Sequence, residues 1–330
     1  MLTCSGKQKL HIQIMKAIEV KNLSKMFGHL VAVDHISFEI EEGEIFGFLG
    51  ANGAGKTTTI MMLATALNPT SGTATVCGFD IIKERDRVRE CIGIVFEELS
   101  LDINLTGKEN LDFHARMYHL DKETRQERAS QALDLVGLKN EQNILVKHYS
   151  GGMQRRLEIA RGMLNYPRVL FLDEPTLGLD VQTRKLLWDY TKRLNRESGT
   201  TVLLNTHYVE EADYLCDRIA ILEQGKIVVM GRPRELKDSV GDSVLSIKLS
   251  QGSHNDLVKL LKEISWVKKV NQRDDQMELS IESGRTKIPE VVRLARDHGF
   301  TISSISECKP SLEDVFLHYI GKKLKGEEHE

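Results

Sequence analysis

The fold of this chain is decided by the octet Gly50-Ala51-Asn52-Gly53-Ala54-Gly55-Lys56-Thr57. The octet matches G-x-x-x-x-G-K-[ST], a loop in which backbone N–H groups surround phosphate oxygens while the lysine reaches the outer phosphates. Its glycines lack Cβ, so they tolerate positive φ and let the backbone approach an anion closely. A helix that begins at Lys56 would add unpaired N–H groups and the positive end of its dipole. The sequence therefore predicts a phosphate-binding loop, with the Thr57 hydroxyl available to Mg²⁺.

The residues on both sides of the octet predict a strand, a loop and a helix in that order. The run Ile45-Phe46-Gly47-Phe48-Leu49 is apolar and has the length of a buried strand. After the octet, apolar residues recur at helical spacing at Ile60, Met61, Leu63 and Ala64. A plain glycine-rich turn before a helix is the alternative interpretation, and the flanking strand and helix make it the weaker one.

Length and composition limit the fold and the partners. The 330 residues exceed the usual domain length of about 100–200 residues, which favours one large domain and a smaller one. With Lys+Arg at 45 and Asp+Glu at 48, the formal charge of −3 gives no global attraction for nucleic acid. The five cysteines are scattered without a C-x-x-C pair, which favours inert thiols in a reducing compartment over disulfides or a zinc site. No apolar run is long enough for a membrane helix, so any membrane role would be peripheral and depend on a partner.

The apolar pattern predicts a parallel sheet with helices on both faces. Apolar runs without alternation occur at 169–172, 202–204 and 219–222, with helical segments between them. Segments 17–20 and 36–40 instead alternate, which predicts an antiparallel edge before the octet.

Capping signals predict a helical insertion between the two halves of this sheet. Thr106 begins a capping box that would open one helix, and Asp121 would cap a second helix that ends near Gly137. Beyond residue 242 the pattern changes to βαββαβ, the order of a ferredoxin-like plait, and Ser311 then caps a final helix.

Two carboxylates end one of the buried strands. Asp173 and Glu174 follow the run 169–172, at the edge of an open α/β sheet where ligands bind. Adjacent residues point in different directions, so Asp173 suits the Mg²⁺ shell and Glu174 suits polarising the water that attacks the γ-phosphate. An isolated acidic pair of this kind is more often a solvated strand end. The phosphate loop upstream favours chemistry instead.

A second anion site is predicted at Ser150-Gly151-Gly152, where a serine cap and two bare amides precede an apolar helix. One nucleotide would already occupy the octet, so this site suggests that the nucleotide of another subunit meets the helix. A plain helix cap is the alternative interpretation. It would account for Ser150, but less well for Gly151 and Gly152.

Taken together, the motifs resemble those of the ATP-binding subunits of ABC transporters over about residues 17–236. The resemblance is carried, in order, by the octet, the signature segment 149–154, Asp173-Glu174, Leu179-Asp180 and His207. It implies an α/β P-loop NTPase fold with an antiparallel β edge subdomain and a helical insertion. A small ferredoxin-like α+β domain would follow.

The resemblance implies a role for each matching residue. Phe27 would stack on adenine, Asp180 would communicate across a dimer, and His207 would sense the γ-phosphate and act beside the catalytic Glu174. The implied ATP-binding residues are Phe27, Gly50, Asn52, Gly53, Ala54, Gly55, Lys56, Thr57 and Thr58. The implied signature residues, which would contact the other chain's ATP, are Ser150, Gly151, Gly152 and Gln154. Without the resemblance, packing at a strand end would be the favoured interpretation of Phe27, and an ordinary strand-end histidine that of His207.

One position departs from the family pattern. The family usually has a glutamine that binds Mg²⁺ and links the sheet to the helical insertion, and this chain has Phe96-Glu97 there. The implied metal ligands are therefore Thr57, Glu97 and Asp173. A carboxylate at Glu97 can bind Mg²⁺, but it adds negative charge near the phosphates.

The predicted organisation has five parts. They are an N-terminal extension at 1–16, an ABC ATPase domain at 17–236 with its helical insertion at about 97–150, a linker at 237–242, a ferredoxin-like domain at 243–307, and a C-terminal helix and tail at 308–330. The accessory domain could serve as a dimer contact or sense a ligand, and its sequence does not decide between these roles.

Softer motifs at 69–78, at Met153 and at 311–316 resemble the drug-resistance type of exporter ATPase. The resemblance implies a homodimer or a paralogous pair, with two ATP molecules and Mg²⁺ between the chains, on the cytoplasmic face of a membrane. Integral-membrane subunits would carry the cargo, and no nucleic acid is expected. The alternative is a soluble ABC ATPase that acts on ribosomes or DNA. That class usually has two such domains per chain or a long coiled coil, and this chain has neither.

Overall fold

The computed structural model describes residues 16–240, 243–251, 254–273, 276–281, 287–308 and 310–326. The chain divides into two compact units between Met230 and Gly231. Most of the predicted N-terminal extension therefore lies outside the described residues, whereas Lys16 already belongs to the first strand.

A six-stranded sheet forms the centre of the first unit. In spatial order it contains β10 (Lys226–Gly231), β9 (Arg218–Glu223), β3 (Ile45–Leu49), β8 (Thr201–Thr206), β7 (Val169–Asp173) and β6 (Ile92–Val95). Strands β9, β3, β8, β7 and β6 pair in parallel. Every residue of β3, β7 and β8 is buried, which explains why their sequences are apolar without alternation. The prediction of a parallel sheet is confirmed.

An antiparallel sheet packs with this core. It contains, in spatial order, β2 (Leu30–Glu41), β1 (Lys16–Phe27), β4 (Ser71–Val76) and β5 (Phe79–Asp80). Phe38 of this sheet packs against two aromatic residues of the central strand, with ring centroids 5.7 Å from Phe46 and 5.2 Å from Phe48. The antiparallel edge predicted before the octet is thus confirmed, and it joins the same hydrophobic core.

Seven α-helices accompany these sheets in the described part of the first unit. They are α1 (Lys56–Leu63), α2 (Arg85–Cys91), α3 (Gly107–Met117), α4 (Lys122–Leu135), α5 (Gly151–Met163), α6 (Val181–Ser198) and α7 (Val209–Leu215). Thr106 and Glu109 form the predicted capping box at the start of α3, and Asp121 caps α4. These two helices form the predicted insertion between β6 and β7.

The second unit contains the predicted plait. Its elements are α8 (Pro233–Val240), β11 (Ser243–Gln251), α9 (His254–Lys262), β12 (Val267–Arg273), β13 (Gln276–Ile281), α10 (Ile288–Asp297), β14 (Thr301–Cys308) and α11 (Leu312–Gly326). The sheet order β12-β13-β11-β14 is that of a ferredoxin-like fold.

The predicted linker at 237–242 differs from the structure, because residues 237–240 are helical and complete α8. Leu236 is buried while Arg234, Glu235 and Asp238 are exposed, so α8 is amphipathic. The helix begins at Pro233, and proline is favoured in the first turn. Residues 241–242 lie outside the described residues. None of the helices that the structure describes has the length and apolar character needed to cross a membrane.

Candidate nucleotide-binding and hydrolysis site

The octet forms the turn between the central strand β3 and helix α1. Gly55 caps α1 in the left-handed conformation, with φ of 98°. A Cβ at this position would also collide with the backbone oxygen of Ala32, so both conformation and space require glycine. The start of α1 therefore keeps its N–H groups accessible at the cleft.

Lys56 is buried and its ammonium group lies over its own loop. Its Nζ donates to the backbone oxygens of Gly50 at 2.8 Å and Ala51 at 3.0 Å. The same Nζ is 4.0 Å from Oε1 of Glu174. Burial lowers the pKa of Lys56, and the charges of Glu174 and Asp173 oppose that shift. The ammonium thus has short-range partners that phosphate oxygens could replace.

Asp173 ends β7 in contact with two polar side chains. Thr57 Oγ1 donates to Asp173 Oδ1 at 3.1 Å, and the Nδ2 of Asn205 donates to Thr57 Oγ1 at 3.2 Å and to Asp173 Oδ1. Burial raises the pKa of Asp173, while these hydrogen bonds oppose the shift. Polar side-chain atoms from β7, β8 and α1 therefore meet at one point of the phosphate-binding loop.

The two carboxylate oxygens of Glu174 differ in their contacts: one is hydrogen-bonded within the described part of the chain and the other is not. Its Oε2 is 2.8 Å from Nδ1 of His207, and its backbone N–H donates to the carbonyl of Asn205 at 2.9 Å. Its φ of 48° lies in the left-handed region, which is unusual for a non-glycine residue. Oε1 is buried and has no hydrogen-bond partner among the described residues. A buried, unpartnered carboxylate oxygen is a place where a water molecule fits.

A cleft of about 580 Å³ brings most of the predicted residues together. Among the predicted residues, its lining includes Phe27, Asn52, Gly53, Gly55, Lys56, Thr57, Thr58, Glu97 and Glu174. Phe27 ends β1 with 48% of its surface exposed, so its ring is available at the mouth of the cleft. The Lys25 ammonium is 5.0 Å from the ring centroid, which shows that the face accepts a cation.

The signature residues do not line this cleft in the described part of the chain. Ser150 caps α5 and accepts a hydrogen bond from the N–H of Met153 at 3.2 Å. Gly152 is buried against α6, where an added Cβ would collide with Thr183. Asp180 caps α6 and accepts from the N–H of Thr183 at 3.0 Å. Both helix starts are thus well ordered by local caps, and Gly151 remains exposed.

Gln154 has a local contact instead of a position in the cleft. Its Nε2 donates to the carbonyl of Val146 at 3.2 Å. This bond attaches the start of α5 to the short helical turn Val146–His148, at the end of the helical insertion.

Arg155 is an important residue that the sequence analysis did not single out. It is 4% exposed, and its guanidinium donates to the carbonyls of Phe96 at 2.5 Å, Asp173 at 3.0 Å, Glu174 at 2.9 Å and Pro175 at 2.6 Å. One side chain of α5 therefore fixes the backbone of both strand ends beside the cleft. Asn205 was also missed as a site residue, although a polar residue at the end of a buried strand was a usable signal.

The residues beside Thr57 fit Mg²⁺ by their chemistry. Mg²⁺ prefers oxygen ligands and is commonly bound by one or two carboxylates together with substrate phosphates. The described residues contain no cluster of three His, Cys, Asp or Glu side chains that could hold a metal alone. The unpartnered Oδ1 of Asn205 beside Asp173 is a further polar atom at this point.

The fold and the cleft are those of a P-loop nucleotide hydrolase. Comparison with known proteins shows which family of such hydrolases the chain matches. Residues 33–177 match the family described as ABC transporter, and residues 231–320 match the one described as ATP-binding protein DrrA1-3-like, C-terminal domain. The daunorubicin/doxorubicin resistance ATP-binding protein DrrA of Streptomyces peucetius is 39% identical, over 94% of each chain. The Nod factor export ATP-binding protein I of Sinorhizobium fredii is 38% identical, over 94% of this chain and 87% of its own.

A solved relative matches the first unit of the fold. The dimeric, post-hydrolysis structure of an ATP-binding cassette with ADP and Pi superposes with a TM-score of 0.59 and 28% identity. It covers 65% of this chain and 98% of the solved chain. The chain belongs to the ABC transporter family, as one of its ATP-binding proteins, and it is an ATPase.

Proposed function

We propose that two copies of this chain bind two ATP molecules between them and use their hydrolysis to drive export through separate integral-membrane subunits. The observation that carries this proposal is the buried Oε1 of Glu174, which has no hydrogen-bond partner among the residues that the structure describes and lies 4.0 Å from the Lys56 ammonium. This arrangement leaves a carboxylate oxygen available at the place where the outer phosphate would lie.

The residues of the cleft divide the work of hydrolysis. The backbone of the octet and Lys56 would bind the phosphates, and the Phe27 ring would stack on adenine. Thr57, Asp173 and Glu97 would hold Mg²⁺, which offsets phosphate charge when bound. Glu174 Oε1 would accept a proton from water as the water oxygen bonds to the γ-phosphorus and the bond between the β-γ bridging oxygen and that phosphorus breaks. His207 holds Glu174 Oε2 and so orients the carboxylate.

A second copy would complete each site. Ser150 and Gly151 are exposed at the start of α5, whereas the next residue, Gly152, is buried, and none of the three lines the described cleft of its own chain. A helix start of this kind favours an anion, and the γ-phosphate held by the partner subunit is one of suitable charge. The related cassette solved with ADP and Pi is dimeric, which supports this arrangement.

The helical insertion is the proposed docking surface for the membrane subunits. Phe113 and Met117 lie one turn apart on α3 and are 62% and 63% exposed. Exposed apolar residues on one helix face are typical of a protein contact. The names of the relatives connect the family with drug resistance and export, and we propose the same role at the cytoplasmic face of a membrane for this chain.

The dimer is tested with purified Glu174→Gln protein in the presence of ATP and Mg²⁺. We expect a shift to twice the monomer mass in light scattering, because ATP binds and is not consumed. Lys56→Ala is the matched control and should stay monomeric through loss of phosphate contacts. A Glu174→Gln protein that stays monomeric with bound ATP would contradict the shared site.

The membrane partner is tested by isolating the chain from native membranes. We expect an integral-membrane protein to co-purify, and Phe113→Ser with Met117→Ser should release it. Ile82→Ser is the control, because Ile82 is also exposed, at 46%, but lies outside the insertion. Recovery of ribosomes or DNA instead would favour the soluble ABC ATPase.

A further inference from the structure

Glu211 is a carboxyl group in the first turn of α7 that the mechanism above does not use. It is 0% exposed and follows His207 by four residues. A buried carboxyl group needs hydrogen-bond partners, because its transfer from water into the protein interior is costly without them. Its partners therefore show what the residue holds in place.

Two hydrogen bonds to Glu211 come from the region between Glu174 and α6. Its Oε1 accepts from Thr176 Oγ1 at 3.0 Å and from Trp188 Nε1 at 2.9 Å. Thr176 is itself buried and follows Glu174 by two residues. Trp188 lies on α6, the helix that Asp180 caps. One carboxyl oxygen thus connects α7 with the whole segment that runs from Glu174 to α6.

Two hydrogen bonds connect the segment that begins at Glu174 with the segment that begins at His207. On one side, Glu211 is bonded to Thr176. On the other side, His207 Nδ1 is bonded to Glu174 Oε2 at 2.8 Å. Thr176 is the second residue after Glu174, and Glu211 is the fourth residue after His207. A shift at one contact would therefore be transmitted to the other over a short stretch of chain.

The second oxygen of Glu211 is also enclosed by the protein. Oε2 is buried, and no described residue meets it with hydrogen-bond geometry. Burial raises the pKa of Glu211, opposed by its hydrogen bonds, and the charge of Glu174 adds to the rise. A neutral carboxyl group can still accept both hydrogen bonds through Oε1, so an amide of the same shape should replace it.

We propose that Glu211 is a positioning residue for ATP hydrolysis. By anchoring Thr176 and Trp188 to α7, it keeps the Glu174 carboxylate and the His207 imidazole in a fixed relative position. The inference rests on the proposed roles of Glu174 and His207. Loss of the anchor would let the carboxylate and the imidazole move relative to bound ATP, without removing any group that binds it. The effect should therefore fall on turnover more than on binding.

The test compares Glu211→Gln, Glu211→Ala and Thr176→Val in steady-state ATP hydrolysis. Glu211→Ala should lower kcat roughly 10- to 100-fold, the usual effect of losing a residue that orients a functional side chain. KM for ATP should stay within about threefold, because the groups that bind ATP are intact. Glu211→Gln should restore kcat, since its Oε1 accepts the same two bonds. Thr176→Val removes one donor and should give an intermediate loss.

Glu210→Ala is the matched control, because Glu210 is the exposed neighbour on the same helix. It should leave kcat unchanged. If Glu211→Ala does not fold, Thr176→Val carries the test, and wild-type kcat in that variant overturns the inference. A Glu211→Gln protein as impaired as Glu211→Ala also overturns it. Wild-type turnover in Glu174→Gln would instead overturn the proposed function.

Discussion

Replacement of Arg155 by alanine tests whether one side chain holds the two strand ends beside the cleft. The guanidinium reaches the carbonyls of Phe96, Asp173, Glu174 and Pro175. These acceptors lie at the ends of β6 and β7, in segments that are far apart in sequence. In Arg155→Ala protein, all four carbonyls would lose a charged donor within the protein interior.

The expected cost follows from these contacts. Each buried carbonyl that loses its hydrogen-bond donor should lower the free energy of unfolding by about 1 kcal/mol or more, so four carbonyls should lower it by at least about 4 kcal/mol. Burial lowers the pKa of Arg155, so part of its charge-burial cost is recovered on removal. We expect the free energy of unfolding to fall by about 3–5 kcal/mol. For a unit of this size the melting temperature should fall by roughly 6–20 °C.

The measurement is thermal unfolding followed by circular dichroism, with Arg156→Ala as the control. Arg156 is the next residue of α5 and donates to Val136 at 3.1 Å and Gly137 at 3.4 Å, so its loss should cost only about 1 kcal/mol. Arg155→Lys keeps the charge but not the planar fork, and it should fall between wild type and Arg155→Ala. If the two alanine variants melt within about 2 °C of each other, the proposed bracing by Arg155 is wrong.

Four further predictions concern the cleft itself. Lys56→Ala should lower kcat/KM for ATP by about 10²- to 10³-fold through lost phosphate contacts, measured by phosphate release. Phe27→Ala should raise KM for ATP by roughly tenfold while Phe27→Trp keeps it, since stacking on a base is worth about 1–3 kcal/mol. Asp173→Asn should abolish turnover but raise the melting temperature at neutral pH. The reason for the higher melting temperature is that burial raises the pKa of Asp173, so its ionisation destabilises the fold. This gain in melting temperature should disappear as the pH falls below the ordinary pKa of 3.8, where the carboxyl group is protonated in both the folded and the unfolded chain. Glu97→Gln should bind ATP without Mg²⁺ more tightly than wild type does, measured by calorimetry, since one negative charge near the phosphates is removed.

The parts of the fold that sequence predicted well are those whose signal is local. The octet is recognised from its own glycines and lysine alone. The buried strands β3, β7 and β8 are recognised as short apolar runs. Thr106 and Asp121 also act on their own helix starts, within three residues. Each of these patterns depends on neighbours along the chain, so each could be recognised without the fold.

The residues that sequence analysis missed depend on distant partners. Arg155 bonds to carbonyls, which every residue possesses, so no sequence pattern shows which carbonyls it will meet. Glu211 is one of many acids on helices, and only the fold brings Thr176 and Trp188 to it. At 237–240 the error has a different cause, because polar residues suggested a linker while the single buried Leu236 fixes an amphipathic helix.

The charges of the cleft explain why nucleotide, metal and second subunit belong together. Glu97 and Glu174 line the cleft and Asp173 lies directly behind Thr57, whereas Lys56 is the ammonium group that lies among them. Three carboxyl groups against one ammonium repel a triphosphate unless positive charge is added. In the proposed function, a divalent cation beside Asp173 and the start of α5 from a partner subunit would be two such sources. Binding of ATP would then draw both to the cleft, and the loss of the γ-phosphate would weaken the hold on the partner subunit first.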